Sequence, residues 1–216
     1  MGDIAVLVSG QIRTLDRCYK SILETYPNAD FYVQAVDDQD AYKAELLKPV
    51  RLLIEPTRDL PERPEYSFQI GRLCHGVQGC LRQWYNLLRC WQLYQNSGHK
   101  HKWIVRHRPD LLTITGPPPQ SEWKEDIMVP GHDNWWGIHD WHGIMTPECA
   151  KVYFTRINVL DDYINQGGIF HPETFLEWAI RDFKVHRVRT HLNIVRADGT
   201  RMLANYRDDT NDVYCS

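Results

Sequence analysis

Arg106, Arg108 and Asp110 occupy alternate positions in Lys102-Trp103-Ile104-Val105-Arg106-His107-Arg108-Pro109-Asp110. In an extended chain, alternate residues point to one side. Trp103, Ile104 and Val105 favour a strand, and Pro109, which cannot donate to a β-ladder, ends it. Two guanidiniums and a carboxylate would then meet at the carboxyl end of a buried strand, where open α/β sheets hold ligands. A phosphate with a divalent cation satisfies all three groups. An Arg–Asp ion pair closing the strand satisfies them too, and both readings stay open at this stage.

A second group of candidates follows the first apolar run, Ile4-Ala5-Val6-Leu7-Val8. In Ser9-Gly10-Gln11-Ile12-Arg13, Gly10 permits a tight turn, and Arg13 stands just beyond the strand's carboxyl end. The stretch has neither a Gly-x-Gly-x-x-Gly fingerprint nor a Gly-Lys-Ser/Thr loop, so dinucleotide and P-loop binding are unsupported. Asp37, Asp38 and Asp40 read as a solvated turn and helix cap. From Gly131 to Met145 the chain is polar and aromatic and carries His132, Asp133, His139, Asp140 and His142. Their spacing matches no standard zinc motif, nor does that of Cys74-His75 with Cys80. Trp135 and Trp136 suit a sugar-stacking wall and equally suit anchors beneath a loop. Glu173 follows Pro172 at the start of a helix, where the dipole favours the ionised carboxylate and should keep its pKa from rising.

The elements that would position these groups alternate in type. After the first strand, Thr14 or Asp16 starts a helix running to about Tyr26, with Cys18, Ile22 and Leu23 on its apolar side. A second strand spans 29–36, a helix 39–47 and a third strand 51–54. Pro56, Pro61 and Pro64 mark 56–66 as loop. Residues 67–79, with Gly71, Gly76 and Gly79, are placed as a cover over the site. A helix over 80–95 presents Leu81, Trp84, Tyr85, Leu88, Trp91 and Gln95 as one stripe, read as core. A strand over 126–129 precedes the His/Trp loop, which reads as too polar to be core. Thr146-Pro147 starts a helix carrying Tyr153, Ile157, Leu160 and Ile164 inward and ending at Gly167-Gly168. His171-Pro172-Glu173 starts another, with Phe175, Leu176, Ala179, Ile180 and Phe183 inward. One strand or hairpin covers 185–195, Asp198-Gly199 is a turn, and 204–216 reads as a peripheral tail.

Composition narrows the class. With 216 residues, 43% of them hydrophobic, the chain suits one α/β domain with a sizeable core. Its 25 basic and 28 acidic residues give a net charge of -3, not the basic face expected of a nucleic-acid partner. No apolar run approaches the roughly 20 residues that span a bilayer. Met1-Gly2-Asp3 leads straight into a strand, so no signal peptide is expected. The six cysteines form no Cys-x-x-Cys pair. Reduced thiols and a cytoplasmic location are the expectation.

The order of these features resembles small GT-A-type glycosyltransferases, which viruses and bacterial surface-polysaccharide clusters encode. The resemblance runs over about residues 4–200. It rests on Gly-Gln-Ile-Arg after the first strand, the Trp/Tyr-rich helix, Arg-x-Arg-Pro-Asp, the Asp/Trp/His loop and the His-Pro-Glu helix. It implies a GT-A-like, Rossmann-like fold: a mostly parallel sheet flanked by helices in a single domain. It also implies a UDP- or GDP-sugar donor, a glycan or protein-linked acceptor, and Mn²⁺ or Mg²⁺ bridging the diphosphate. In such a site Asp110 stands where the metal-binding acidic motif would be, although Arg108 replaces that motif's first acid. His191 or His186 is the second metal candidate. Gly10, Gln11, Arg13, Arg106 and Arg108 would hold the nucleotide-sugar, Trp136 and His139 the sugar. Asp140 and Glu173 are the candidate bases. A binding domain without catalysis and a sugar nucleotidyltransferase are the competing classes. The latter usually carries a Gly-rich loop with a Lys, which Ser9 to Arg13 lacks.

Overall fold

The computed structural model describes residues 2–66 and 76–202. The chain opens with the strand Ile4–Gly10 (β1), the helix Leu15–Thr25 (α1) and the strand Asp30–Val36 (β2). A 3-10 helix, Ala41–Leu47, leads to the strand Arg51–Glu55 (β3). The long helix Gly76–Gln95 (α2) then returns the chain to the strands Trp103–His107 (β4) and Leu111–Thr115 (β5). Next come the strands Ile127–Pro130 (β6) and His142–Met145 (β7) and the helices Pro147–Thr155 (α3), Leu160–Asn165 (α4) and Pro172–Ala179 (α5). Three strands follow: Val185–Val188 (β8), His191–Val195 (β9) and Arg201–Met202 (β10).

The strands form two sheets. The larger has the order β3-β2-β1-β4-β7-β6-β8, and the smaller is β10-β9-β5. In the larger sheet β7 alone runs against its neighbours, so the architecture is α/β with a mostly parallel sheet. Parallel strands covered on both faces read as unbroken apolar runs. β1 shows why: Ala5 and Leu7 enter the core beneath α2, while Val6 and Val8 enter the core beneath α1. From β1 the chain moves outward through β2 to β3, then crosses back to β4 on the other side of β1. The direction of winding therefore reverses between β1 and β4, and the crevice at their carboxyl ends is a topological switch point.

Several elements differ from the sequence reading. The buried face of α2 is Cys80, Leu81, Trp84, Leu87, Cys90, Trp91 and Tyr94, a stripe turned away from Tyr85, Leu88 and Gln95. The Gly76 start lengthens the helix, and its indoles and cysteines set the facing. The segment 41–47 is a 3-10 helix ended by Lys48 at φ 50°. α3 and α4 are separated by a 3-10 turn, Arg156–Val159, instead of forming one helix. Residues 185–195 are not a hairpin: β8 pairs parallel with β6, whereas β9 pairs antiparallel with β5 in the other sheet. Pro109 ends β4 as read, but the chain resumes at once as β5.

The largest correction is β7. Ile138 to Met145 are all buried, polar residues included. His142 is tolerated there because a 2.6 Å hydrogen bond joins its Nε2 to the Tyr26 hydroxyl. Burial holds this imidazole well below its ordinary pKa and the Tyr26 phenol above its own. The pair is thus neutral, and a neutral hydrogen-bonded pair can sit in a core where a charge cannot. The region 67–75, including Cys74-His75, and the tail from 203 lie outside the described residues. Among the described residues, no helix is long and apolar enough to cross a membrane.

Trp84 is fully buried, with its ring 5.2 Å from that of Phe170 and 5.0 Å from that of Phe175. It ties α2 to α5. Trp84→Ala should lower stability by about 3–5 kcal/mol, the usual cost of removing a core aromatic. In urea denaturation the midpoint should fall with the slope unchanged.

Candidate functional site

The switch-point crevice is a cleft of about 280 Å³. β1 contributes Ser9 and Gly10, followed by Gln11 and Arg13; the end of β4 contributes Arg106, Arg108, Pro109 and Asp110. Val36 and Thr57 close it beyond β2 and β3, and α2 supplies Gly79, Arg82, Gln83 and Asn86. Six of the residues selected from sequence therefore share one cleft: Gly10, Gln11, Arg13, Arg106, Arg108 and Asp110. The α2 residues escaped that selection. Positions 79, 82, 83 and 86 follow the i, i+3, i+4, i+7 spacing of one helix face. That polar stripe beside the apolar one was the available signal.

Gly10 adopts φ 114°, which favours glycine. Its amide donates to Gln34 Oε1 at 3.3 Å. Gln34 in turn donates to Glu55 Oε1 at 3.4 Å, and Arg89 Nε reaches both Glu55 oxygens at 3.1 Å. A layer of hydrogen bonds beneath the cleft thus fixes the turn that ends β1. Arg13 and Gln11 are exposed at the rim.

Arg106 is 1% exposed. Its Nη1 donates to Ser9 Oγ at 3.0 Å and to the His107 carbonyl at 3.3 Å, and its Nε has no hydrogen-bond partner among the described residues. Among the described residues, no carboxylate lies within 4.0 Å of this guanidinium. Burial pulls its pKa down from the usual arginine range. Arg108 differs. Its Nε donates to Asp110 Oδ1 at 2.9 Å and its Nη2 to Asp110 Oδ2 at 2.7 Å, a two-pronged ion pair. Burial opposes both charges, yet the pair prevails, raising Arg108 and holding Asp110 below the usual carboxylate range. The guanidinium also lies over the Trp141 ring, 5.5 Å from its centre. The two readings of Arg106, Arg108 and Asp110 thus meet: all three line the cleft, and two of them form the ion pair.

Behind this wall are two buried carboxyl groups. Gln83, which lines the cleft, donates from Nε2 to Asp140 Oδ2 at 2.9 Å. Arg156, fully buried, brings Nη2 to 3.9 Å from the same oxygen, and the Tyr153 hydroxyl donates to the Asp140 carbonyl at 2.7 Å. Glu173 is 6% exposed, with Oε2 3.4 Å from His171 Nδ1. Its pKa is pushed well above the ordinary glutamate value, by burial first and by Asp140 second. The helix dipole does not raise it, as expected from sequence, but other effects outweigh the dipole here. A helix end contributes a fraction of a charge, whereas loss of solvent and a nearby carboxylate act on the whole of one.

The remaining candidates lie elsewhere. His139 is fully buried; its Nδ1–H donates to the His132 carbonyl at 2.9 Å, and burial, helped by His132, lowers its pKa to about 3. It is neutral and does not line the cleft. Trp136 is 38% exposed, with its ring 5.5 Å from that of His171. His191 lies in β9 opposite Thr115, toward the end of β5 away from Asp110, and its Nε2 is 3.2 Å from Asn193 Oδ1. Asp38 Oδ1 accepts from the Asp40 amide at 2.9 Å, the turn read from sequence. Among the described residues, no group of three His, Cys, Asp or Glu side chains is placed to hold a metal, and both Asp110 oxygens are bound by Arg108. As arranged, these residues do not fit a divalent ion.

The sequence matches the family described as a domain of unknown function, DUF7796, over residues 3–187. The chain belongs to the DUF7796 family. The matched span contains the cleft and both buried carboxyl groups and stops before β9 and His191. A search of curated proteins finds no match to the chain. Among solved structures, the chain is similar to a glycosyltransferase involved in the glycosylation of the major capsid of PBCV-1. The two share 9% identity with a TM-score of 0.44, over 85% of this chain and 81% of that one. A likeness of this size speaks to neither substrate nor mechanism.

Two outcomes test the geometry. Asp110 has a depressed pKa, so its contribution to stability is present above the ordinary aspartate range and is lost as pH falls through its folded value. Asp110→Asn should remove that part of the acid sensitivity, measured as the unfolding midpoint between pH 7 and about pH 3. Gly137 packs directly on the backbone of Glu173, where an added Cβ would sit 2.3 Å from the carbonyl carbon and oxygen. Gly137→Ala should destabilise the fold by about 1–3 kcal/mol through overpacking, read by chemical denaturation.

Proposed function

We propose that the protein is a glycosyltransferase that moves a sugar from a UDP- or GDP-sugar to a glycan or protein-linked acceptor. The observation that carries this reading is Arg106: a guanidinium buried at the switch point, facing a cleft, with no carboxylate partner among the described residues. A buried charge without a partner is strongly unfavourable, and an anionic ligand supplies the partner. Arg13 at the rim adds positive charge, as a diphosphate requires, whereas Arg82 there is paired with Asp59. The order of motifs along the chain supports a nucleotide-sugar as the owner of that diphosphate.

In this reading Arg106, with Arg108 and Arg13, neutralises the leaving diphosphate through preorganised donors. Of the two buried carboxyl groups, Asp140 is the better candidate base, because it contacts a cleft-lining side chain, Gln83, and because Glu173, raised in pKa, holds its own proton more tightly. Trp136 offers an exposed ring for a sugar face. A Mn²⁺ or Mg²⁺ ion at Asp110 would need Arg108 to release at least one carboxylate oxygen. His191 stands at the far end of the β5–β9 pairing from Asp110, which the Val195 amide holds at the near end, so the two are not placed to share an ion.

A second reading, a nucleotide-sugar-binding domain without catalysis, is favoured by the commitment of Asp110 to Arg108. Binding without transfer or hydrolysis would support it.

A nucleotide-sugar at 100 times its dissociation constant should stabilise the fold by about 2.7 kcal/mol. Thermal shift with UDP- and GDP-sugars, each with and without Mn²⁺, measures this; no shift with any of them sinks the proposal. Arg106→Met separates a ligand site from a structural one. If the charge is kept for a ligand, the variant should melt at or above the parent temperature and lose at least about tenfold in affinity, roughly 1.4 kcal/mol. A lowered melting temperature with unchanged affinity would make Arg106 a structural residue.

A further inference from the structure

Among the described residues, β3 pairs with β2 alone and forms one edge of the larger sheet. Leu52 packs into the core on the α1 side, so Ile54, two residues on, faces that side as well. Glu55 reaches Arg89 of α2 on the other side, which Arg51 and Leu53 share with it. The Val50 amide donates to the Phe31 carbonyl of β2 at 2.8 Å. Backbone groups alternate along a strand, so Val50, Leu52 and Ile54 turn theirs toward β2. The amides and carbonyls of Arg51 and Leu53, with the Glu55 amide, then point away from the sheet. The Glu55 carbonyl turns back to the Asp37 amide at 2.8 Å. Pro49 and Pro56 have no amide to offer, so any ladder along this edge is held to residues 51–55.

The chain beyond β3 leaves the edge for α2. Arg58 lies over the Tyr85 ring, 5.5 Å from its centre, and the Leu60 amide and carbonyl bond the Gln78 side chain at 3.2 and 2.6 Å. The edge also carries apolar surface. Ile54 is 44% exposed, and Val50 and Tyr42, in the segment leading into β3, are exposed with it. Such an edge is a template for a further strand.

We propose that two copies of this chain pair along β3, antiparallel and centred on Leu53, joining their larger sheets into one. The spacing of side chains argues for a second copy as the occupant. Under that two-fold, Leu53 meets the partner's Leu53, Arg51 meets the partner's Glu55, and Leu52 meets the partner's Ile54. Opposite charges thus face each other twice, and apolar side chains meet on the opposite face. A parallel alignment in register would instead set Arg51 beside Arg51 and Glu55 beside Glu55. The antiparallel register also matches the backbone. The Leu53 amide and carbonyl meet those of the partner's Leu53, and the Arg51 carbonyl meets the amide of the partner's Glu55. Because the same edge is used on both copies, the contact closes at two. Glu55 belongs to the floor beneath the cleft, and Thr57, two residues on, lines the cleft itself. The partner's Arg51 would therefore stand beside a carboxylate that stiffens that floor. The pairing does not depend on what the cleft binds.

Sedimentation equilibrium of the full chain over a range of concentrations reads the assembly. A reversible equilibrium between one copy and two is expected. A single-chain mass at every concentration up to about 0.5 mM, or growth past two copies, overturns the proposal. Arg51→Glu sets like charges opposite each other twice and should raise the dissociation constant at least about tenfold. Ile54→Lys places a charge in the apolar row and should weaken the pairing in the same direction. Both side chains are exposed, so the melting temperature of dilute protein should change little. A dimer that forms equally well in both variants is built elsewhere, which rules out the β3 pairing. Hydrogen exchange of the parent gives a check that needs no substitution. The Leu53 amide should exchange more slowly as concentration rises; exchange there that ignores concentration overturns the pairing.

Discussion

Among the described residues, Arg106 carries its charge into the interior of the sheet with only a serine hydroxyl and a backbone carbonyl as hydrogen-bond partners. Much of the surrounding structure follows from placing a guanidinium there. It needs a strand that is buried yet ends at an opening, which is what a reversal of winding between β1 and β4 provides. It also needs a rigid floor. The bonds from the Gly10 amide through Gln34 to Glu55 and Arg89 hold the β1 turn in place from below. Every member of that floor is engaged with its neighbours, so the charge above it faces a fixed surface.

Charge is distributed across the site in layers. Arginines dominate the cleft wall, and Asp110 answers Arg108 there with both of its oxygens. Two more carboxyl groups stand behind that wall, with Arg156 for company. The reversed strand makes this possible. In a parallel neighbour, the loop leaving the strand would reach the cleft edge; because β7 runs the other way, the loop entering it does. Asp140 arrives through that entrance, beside side chains that leave β4 at the same edge.

The early β-α-β alternation was legible because continuous apolar runs in doubly covered strands admit few other readings. The convergence of Gly10, Arg13, Arg106, Arg108 and Asp110 was legible for a related reason: strand ends next to glycine or proline fix where a side chain can stand. What escaped was governed by partners distant in sequence. His142 looked too polar for a core because Tyr26, which neutralises the difficulty, lies far earlier in the chain. Glu173 was legible as a candidate base, but the rise in its pKa was not, since its burial is not written in its local sequence. The polar residues of α2 are hard to read as cleft lining because a polar face beside an apolar stripe is what any half-buried helix shows. β8 and β9 were joined as one element because their separation into two sheets depends on β6 and β5.

The pairing of β1 also bears on how the molecule comes into being. On one side its partner is β2, which follows after a single helix; on the other, Ile4 must wait for Trp103. During synthesis the first strands can pair and settle on α1 while the opposite edge of β1 still lacks its neighbour. An unpaired apolar strand edge is a site of wrong association for as long as it lasts. The helix α2 emerges from the ribosome just before β4 and packs on β1 and β2, with Cys90 Sγ 3.5 Å from the Val8 and Tyr32 carbonyls. It can therefore cover the exposed face of the early strands while their edge is still open, a transient shielding role written into the order of the elements.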